Sequence, residues 1–200
     1  MKQLIDQTIQ HVEQILKLVS SGHSIDHILR VYEMAKHLQI KEGGDILVIS
    51  LASVLHDIDD YKVNKVKTED CIQARDWMNQ MQVDKKIIEQ VTAIINHMSY
   101  HKMASGSKVT SIEGRIVQDA DRLDAIGAIG IARTFAYGGA NHRPLFGTRL
   151  ESSIQHFYDK LIKIKDLINT KEANKIASKR HEFLMAYLNT LEEELNQKKL

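Results

Sequence analysis

The sequence predicts an all-α bundle of about seven or eight helices, and three observations carry that prediction. There is one proline, Pro144, and there are few Gly/Ser clusters, so little punctuation interrupts the chain. Apolar residues recur at the three-to-four spacing of a helix face along most of its length. No stretch of useful length alternates as a strand would, and there is no internal repeat or low-complexity tract. Two hundred residues with 43% apolar content suffice for one domain with a real core. A formal net charge of +1 offers no electrostatic footprint for nucleic acid or an anionic membrane. The single cysteine, Cys71, excludes an internal disulfide and fits a reducing, cytoplasmic setting. Charges and amides interrupt the first residues too often for a signal peptide, and the longest apolar run, Ile46 to Leu55, is too short to span a bilayer.

The elements follow in order. Leu4, Ile5, Ile9, Val12, Ile15, Leu16 and Val19 form one stripe of a first helix, ended by Ser20-Ser21-Gly22. Ser24 or Asp26 caps a second, which turns Ile28, Val31, Ala35 and Leu38 inward. Gly43-Gly44 breaks it, and Asp45 caps a third, Ile46 to about His56, apolar nearly all round as a central helix should be. A polar loop over 59–67 leads to a helix opened by Thr68 and containing Cys71, Ala74, Trp77, Met78 and Met81. Asp84 caps the next, with Ile87, Ile88, Val91, Ile94, Ile95 and Met98 on one face and His97 near its end. After a loop over 99–111, one long helix is expected from Ile112 to about Tyr137; its Gly114, Gly127 and Gly130 suggest close packing against neighbours. Residues 138–147 read as a surface loop that can shape a pocket mouth, and two further helices are expected over 149–168 and 171–196.

In a helical bundle a metal site draws its ligands from several helices facing one cavity. The sequence offers a consistent set: His27 on the second helix, the doublet His56-Asp57 closing the third, and Asp121 midway along the glycine-spaced helix. Asp121 stands among Ala120, Leu123, Ile126 and Ile129, where a carboxylate needs a partner. Imidazole and carboxylate together suit Mn, Fe, Zn or Mg.

The order His27, His56-Asp57, Asp121 resembles the signature of the HD superfamily of metal-dependent phosphohydrolases. The surrounding segments strengthen the likeness: 24–31 (SIDHILRV), 55–62 (LHDIDDYK), 117–127 (VQDADRLDAIG), the Arg143-Pro144 loop and 179–183 (KRHEF) are similar to a bacterial branch of uncharacterised HD-domain hydrolases whose members include nucleotide pyrophosphohydrolases. The resemblance covers nearly the whole chain. It implies a single HD domain over 1–200, with a metal-binding core at about 20–137 and C-terminal helices at about 148–197 packed on it. It implies that His27, His56, Asp57 and Asp121 hold one divalent ion, with Mn first and Mg, Fe, Co, Ni or Zn as alternatives. The expected activity is hydrolysis of a nucleotide, foremost a nucleoside triphosphate to release pyrophosphate. Such chemistry needs positioning and charge neutralisation rather than a nucleophilic side chain.

Other groups acquire expected roles around this set. Asp60, three residues past Asp57, is the first candidate for general base, beside Asp57 itself. Lys62 can meet a phosphate oxygen as a compact charge, and Arg30 and Arg122 are further phosphate candidates. By resemblance His97 contacts phosphate or a second ion, with His101 a weaker candidate. Asp124 lies at i+3 from Asp121, where it either orients a ligand or pairs with an arginine. Alarmone hydrolases of the superfamily carry a Glu-Asp pair where this chain has Asp60 and Tyr61, which argues against that substrate. Two competing readings are an HD-type di-iron oxygenase, needing His97 and His101 as extra ligands, and a nucleotide-binding regulator without turnover. No nucleic acid or membrane partner is expected; a homodimer is compatible with the amphipathic faces.

Overall fold

The computed structural model describes residues 1–17, 24–59, 71–98, 109–147 and 152–197. Among these are nine α-helices, one 3-10 helix and no strand, the all-α architecture that the periodicity predicts. The chain divides into two compact units, Met1–Ala120 and Asp121–Leu200.

In the first unit the centre is α3 (Ile46–Leu55), in which every residue from Val48 to Leu55 is buried. Three helices pack on it: α1 (Lys2–Leu16), α2 (Ile25–Glu42) and α5 (Lys85–Met98). A helix that is apolar on every side must be surrounded in this way. Its start is defined locally. Gly43 and Gly44 both have positive φ, and the Asp45 carboxylate accepts from the N–H groups of Leu47 and Val48 at 2.8 and 3.2 Å. The second helix begins after Ser24, as expected, but with no side-chain cap, and Asp26 lies in its first turn. α4 (Ile72–Gln80) packs on α5, whose first turn is capped by Asp84 through the Lys86 N–H at 2.8 Å. The expected start of α4 at Thr68, and the breaker Ser20-Ser21-Gly22, lie outside the described residues.

His11 on α1 stacks on Trp77 of α4, ring centroids 3.9 Å apart and nearly parallel, and the Trp77 indole donates to Thr8 Oγ1 at 3.0 Å. Burial pushes the His11 pKa below its ordinary value. A depressed histidine favours the neutral form in the folded state. Its contribution to stability is therefore present above the unfolded pKa of about 6.5 and is lost as pH falls through the lower folded value. Between pH 7.5 and pH 5 the urea midpoint of the wild type should fall further than that of His11→Phe, which keeps the stack and cannot take up a proton.

α6 (Ile112–Asp124) does not continue to Tyr137. The long helix expected there is two helices, α6 and α7 (Gly127–Ala140). Ile126 is extended and Gly127 takes φ +76°, a left-handed conformation that favours glycine. The aliphatic stem of Arg180 lies where a Gly127 side chain would begin, and a Cβ at Gly130 would run into the Ala125 backbone. Close packing against another helix is therefore found at Gly127, which also makes the break, whereas Gly130 lies against the turn just before its own helix.

The second unit is built around α7, α8 (Ser153–Asp159), a 3-10 helix (Leu161–Leu167) and the long α9 (Lys171–Gln197). The helix expected over 149–168 is thus an α-helix and a 3-10 helix separated by Lys160. Phe157, fully buried on α8, meets Phe135 of α7 and Tyr187 of α9 at centroid distances of 5.7 and 6.0 Å. The loop after α7 starts at Asn141 rather than Gly138, is exposed, and is tied to α8 through the Pro144 and Leu145 carbonyls. Among the described residues no helix is long and apolar enough to cross a membrane.

Candidate metal centre

The doublet is presented by the end of α3. Leu55 is its last helical residue, and the chain then turns through residues 56–59. Ile58 is fully buried, and its N–H bonds to the Leu55 carbonyl at 3.3 Å, which keeps the turn tight against the core. His56 Nδ1 donates to the Ser53 carbonyl at 2.8 Å. A carbonyl can only accept, so Nδ1 carries a proton, and Nε2 is the ring nitrogen turned toward the neighbouring acid. His27 reaches the same place from the first turns of α2 and is 2% exposed.

His27, His56 and Asp57 converge. Each offers a ligand atom within 4.8 Å of the other two, and all three residues are buried. His27 Nε2 lies 3.6 Å from Asp57 Oδ2, and His56 Nε2 lies 3.4 Å from Asp57 Oδ1. The rings meet edge to face with centroids 5.4 Å apart. Both nitrogen–oxygen separations exceed the usual 2.7–3.2 Å of an N–H···O bond. They match two donors sharing one cation: ligands each about 2.1 Å from an ion stand about 3.0 Å apart at a right angle and about 3.6 Å apart at 120°. Two imidazoles and one carboxylate are also a donor set of the right chemistry for a divalent ion. The residues fit a metal.

The other expected site residues are placed as follows. Asp121 is half-buried at the start of the second unit, near the end of α6. Of its apolar companions, Ala120, Leu123 and Ile126 are buried, but Ile129 belongs to α7 and is 43% exposed. Arg122 is buried and its guanidinium donates to the Leu167 carbonyl. Arg30 is half-buried on α2. His97 is exposed, its Nδ1 donating to the Ala93 carbonyl at 2.7 Å, and it lines a cleft of about 220 Å³ with Val48, Ile94, Val109 and Glu113. His97 is not part of the converged group, so it adds nothing in favour of the oxygenase reading. Asp60, Lys62 and His101 lie outside the described residues. Of the two roles open to Asp124, the arginine pair is made: its Oδ2 accepts from Arg133 Nη1 at 2.5 Å.

One residue escaped the sequence reading. Asp59 is buried, and its two carboxylate oxygens accept from the N–H groups of Gln73 and Ala74, each at 3.1 Å. The sequence signal was thin: an acid two residues past the doublet, and a following helix with no capping residue of its own at Cys71.

Residues 24–126 match the family described as HD domain. The chain is 37% identical over 185 residues to an uncharacterized Bacillus subtilis protein, YpgQ, covering 92% of this chain and 90% of that one. The crystal structure of B. subtilis YpgQ in complex with ADP superposes with a TM-score of 0.81 at 35% identity, covering 95% of this chain and 97% of that one. An HD-superfamily hydrolase from Bacillus thuringiensis superposes with a TM-score of 0.80 at 39% identity over 98% of both chains. With the doublet, the helical fold and the converged imidazoles and carboxylate all in place, the chain belongs to the HD-domain family and is a metal-dependent phosphohydrolase.

Proposed function

We propose that this hydrolase is a nucleoside triphosphate pyrophosphohydrolase: water adds at the α-phosphorus, the bond to the bridging oxygen of the β-phosphate breaks, and a nucleoside monophosphate and pyrophosphate leave. The observation that carries the reading is the buried convergence of His27, His56 and Asp57. The nucleotide is supported by the ADP bound in the crystal structure of YpgQ. A bound divalent ion would withdraw charge from the phosphoryl oxygens and lower the pKa of a water it holds. The chain's own part is to hold that ion among buried side chains. Asp57 offers an oxygen toward each imidazole, and the Ser53 carbonyl fixes which His56 nitrogen faces inward.

Of the remaining residue assignments, those of Asp121 and His97 rest on the HD pattern and the others on position and side-chain chemistry. Asp121 is the fourth ligand and manganese the ion. Asp60 accepts the proton of the attacking water, and Lys62, Arg30, Arg122, His97 and His101 meet the phosphates. The whole chain acts as a single cytoplasmic HD domain. A nucleophilic cysteine has no place in this scheme: Cys71 is buried at the head of α4, with Sγ 3.9 Å from the Thr92 carbonyl.

The test is to strip metal with chelator, return Mn, Mg, Co, Ni and Zn singly, and assay nucleoside triphosphates and monophosphates with pyrophosphate and orthophosphate read separately. Pyrophosphate from triphosphates, absent after stripping and restored foremost by Mn, is the expected result. Orthophosphate released from monophosphates alone would replace this reading with a nucleotidase, and turnover indifferent to chelator would overturn the metal assignment.

A further inference from the structure

The site just described depends on a short turn keeping His56 and Asp57 aimed at His27, and what holds the far side of that turn lies fourteen residues further along the chain. α4 opens without a cap of its own. Its N-cap residue, Cys71, sits at φ +50° and its side chain bonds none of the first N–H groups of the helix. Those donors need partners. Asp59 supplies them, its Oδ1 accepting from Gln73 and its Oδ2 from Ala74. These are the second and third helical residues, the donors that a local capping residue would ordinarily satisfy. The contact is doubled, because the Gln73 side-chain amide donates to the Ile58 carbonyl at 3.0 Å. Charge-assisted bonds from a carboxylate to a helix N-terminus are strong and directional.

The turn is thus gripped at both ends. The Ser53 carbonyl holds His56 from the α3 side, while Gln73 and Ala74 hold Ile58 and Asp59 from the α4 side. Asp57 is the residue between the two grips. We propose that Asp59 is a positioning residue of the metal centre: by clasping the head of α4 it fixes the backbone on which Asp57 stands, and so sets the affinity of the site for its ion. The proposal rests on the reading that His27, His56 and Asp57 hold that ion. Groups that orient metal ligands typically contribute about 10–100-fold to affinity or activity.

The experiment uses the full chain with Mn²⁺ alone as the probe, free ion being followed by its paramagnetic resonance signal. Asp59→Ala is expected to weaken Mn²⁺ binding about ten-fold or more, and to speed amide exchange at Gln73 and Ala74. Asp59→Asn, which keeps one acceptor oxygen and the side-chain shape, should fall between that variant and the wild type. In turnover the Mn²⁺ concentration for half-maximal rate should rise while KM for the nucleotide changes little. Asp84→Ala removes an ordinary cap from α5 and should leave Mn²⁺ binding within two-fold of wild type. If Asp59→Ala and Asp59→Asn melt earlier yet bind Mn²⁺ within two-fold of wild type, Asp59 is only a helix cap and the proposal is overturned. Should Asp59→Ala fail to fold, Asp59→Asn decides alone. Asp57→Ala separates the two levels of the argument: if it binds Mn²⁺ as the wild type does, the metal reading itself has failed, and the role of Asp59 falls with it.

Discussion

Asp57→Ala is expected to lower kcat by about 10³-fold or more, equivalent to about 4 kcal/mol of lost transition-state stabilisation, without loss of the far-UV helical signal. The size of the effect follows from position. Among the described residues Asp57 is the only carboxylate in the converged group, and it faces both imidazoles, at 3.4 and 3.6 Å. Without it the converged group has no carboxylate, and Asp121, the proposed fourth ligand, would be left alone to offset the charge of a divalent ion. His56→Ala should act similarly, because it removes the ring whose orientation Ser53 sets. Neither side chain fills the centre of the core in the way that its neighbours Leu55 and Ile58 do, so the fold should survive both changes. Asp57→Asn keeps the volume and loses the charge; it should lie close to Asp57→Ala if charge matters and close to wild type if shape alone does. Wild-type turnover in both Asp57→Ala and His56→Ala would end the assignment.

The largest effect on stability is expected at Phe157. Its ring is fully buried on a helix of only seven residues and touches aromatic rings on α7 and α9. A seven-residue helix has little stability of its own, so packing must hold it. Phe157→Ala removes that packing and leaves a cavity, at a cost of about 3–5 kcal/mol. The urea midpoint should drop accordingly, whereas Phe157→Leu, which retains much of the volume, should lose clearly less. A midpoint unchanged in Phe157→Ala would mean that the three helices are held together by other contacts.

These two sites differ in how far they could be read beforehand. The doublet stands out because an apolar run stops at two functional groups, and both the run and the stop are local. Asp45 as the cap of α3, Asp84 as the cap of α5 and the buried stripe from Ile88 to Met98 were legible for the same reason: each depends on spacings of two to four residues. Where distant partners decide, the reading fell short. The α6–α7 break depends on Gly127 lying against Arg180, fifty-three residues later. Asp124 could orient a ligand or pair with an arginine until Arg133 was seen beside it. Asp59 looked like one more loop acid, since nothing in its immediate neighbourhood indicates that it caps a helix beginning at Ile72.

By itself the sequence determined the helical class, most of the helix starts and the identity of the groups able to grip a cation, because helix periodicity, capping and side-chain chemistry act over one or two turns. Only the tertiary structure decided that His27, twenty-nine residues before His56, meets the doublet within ligand range, and that Asp59 ties that doublet to α4. Those outcomes depend on how α2 and α4 are seated around α3 and α5, which is set by the summed burial of many apolar faces rather than by any single local pattern.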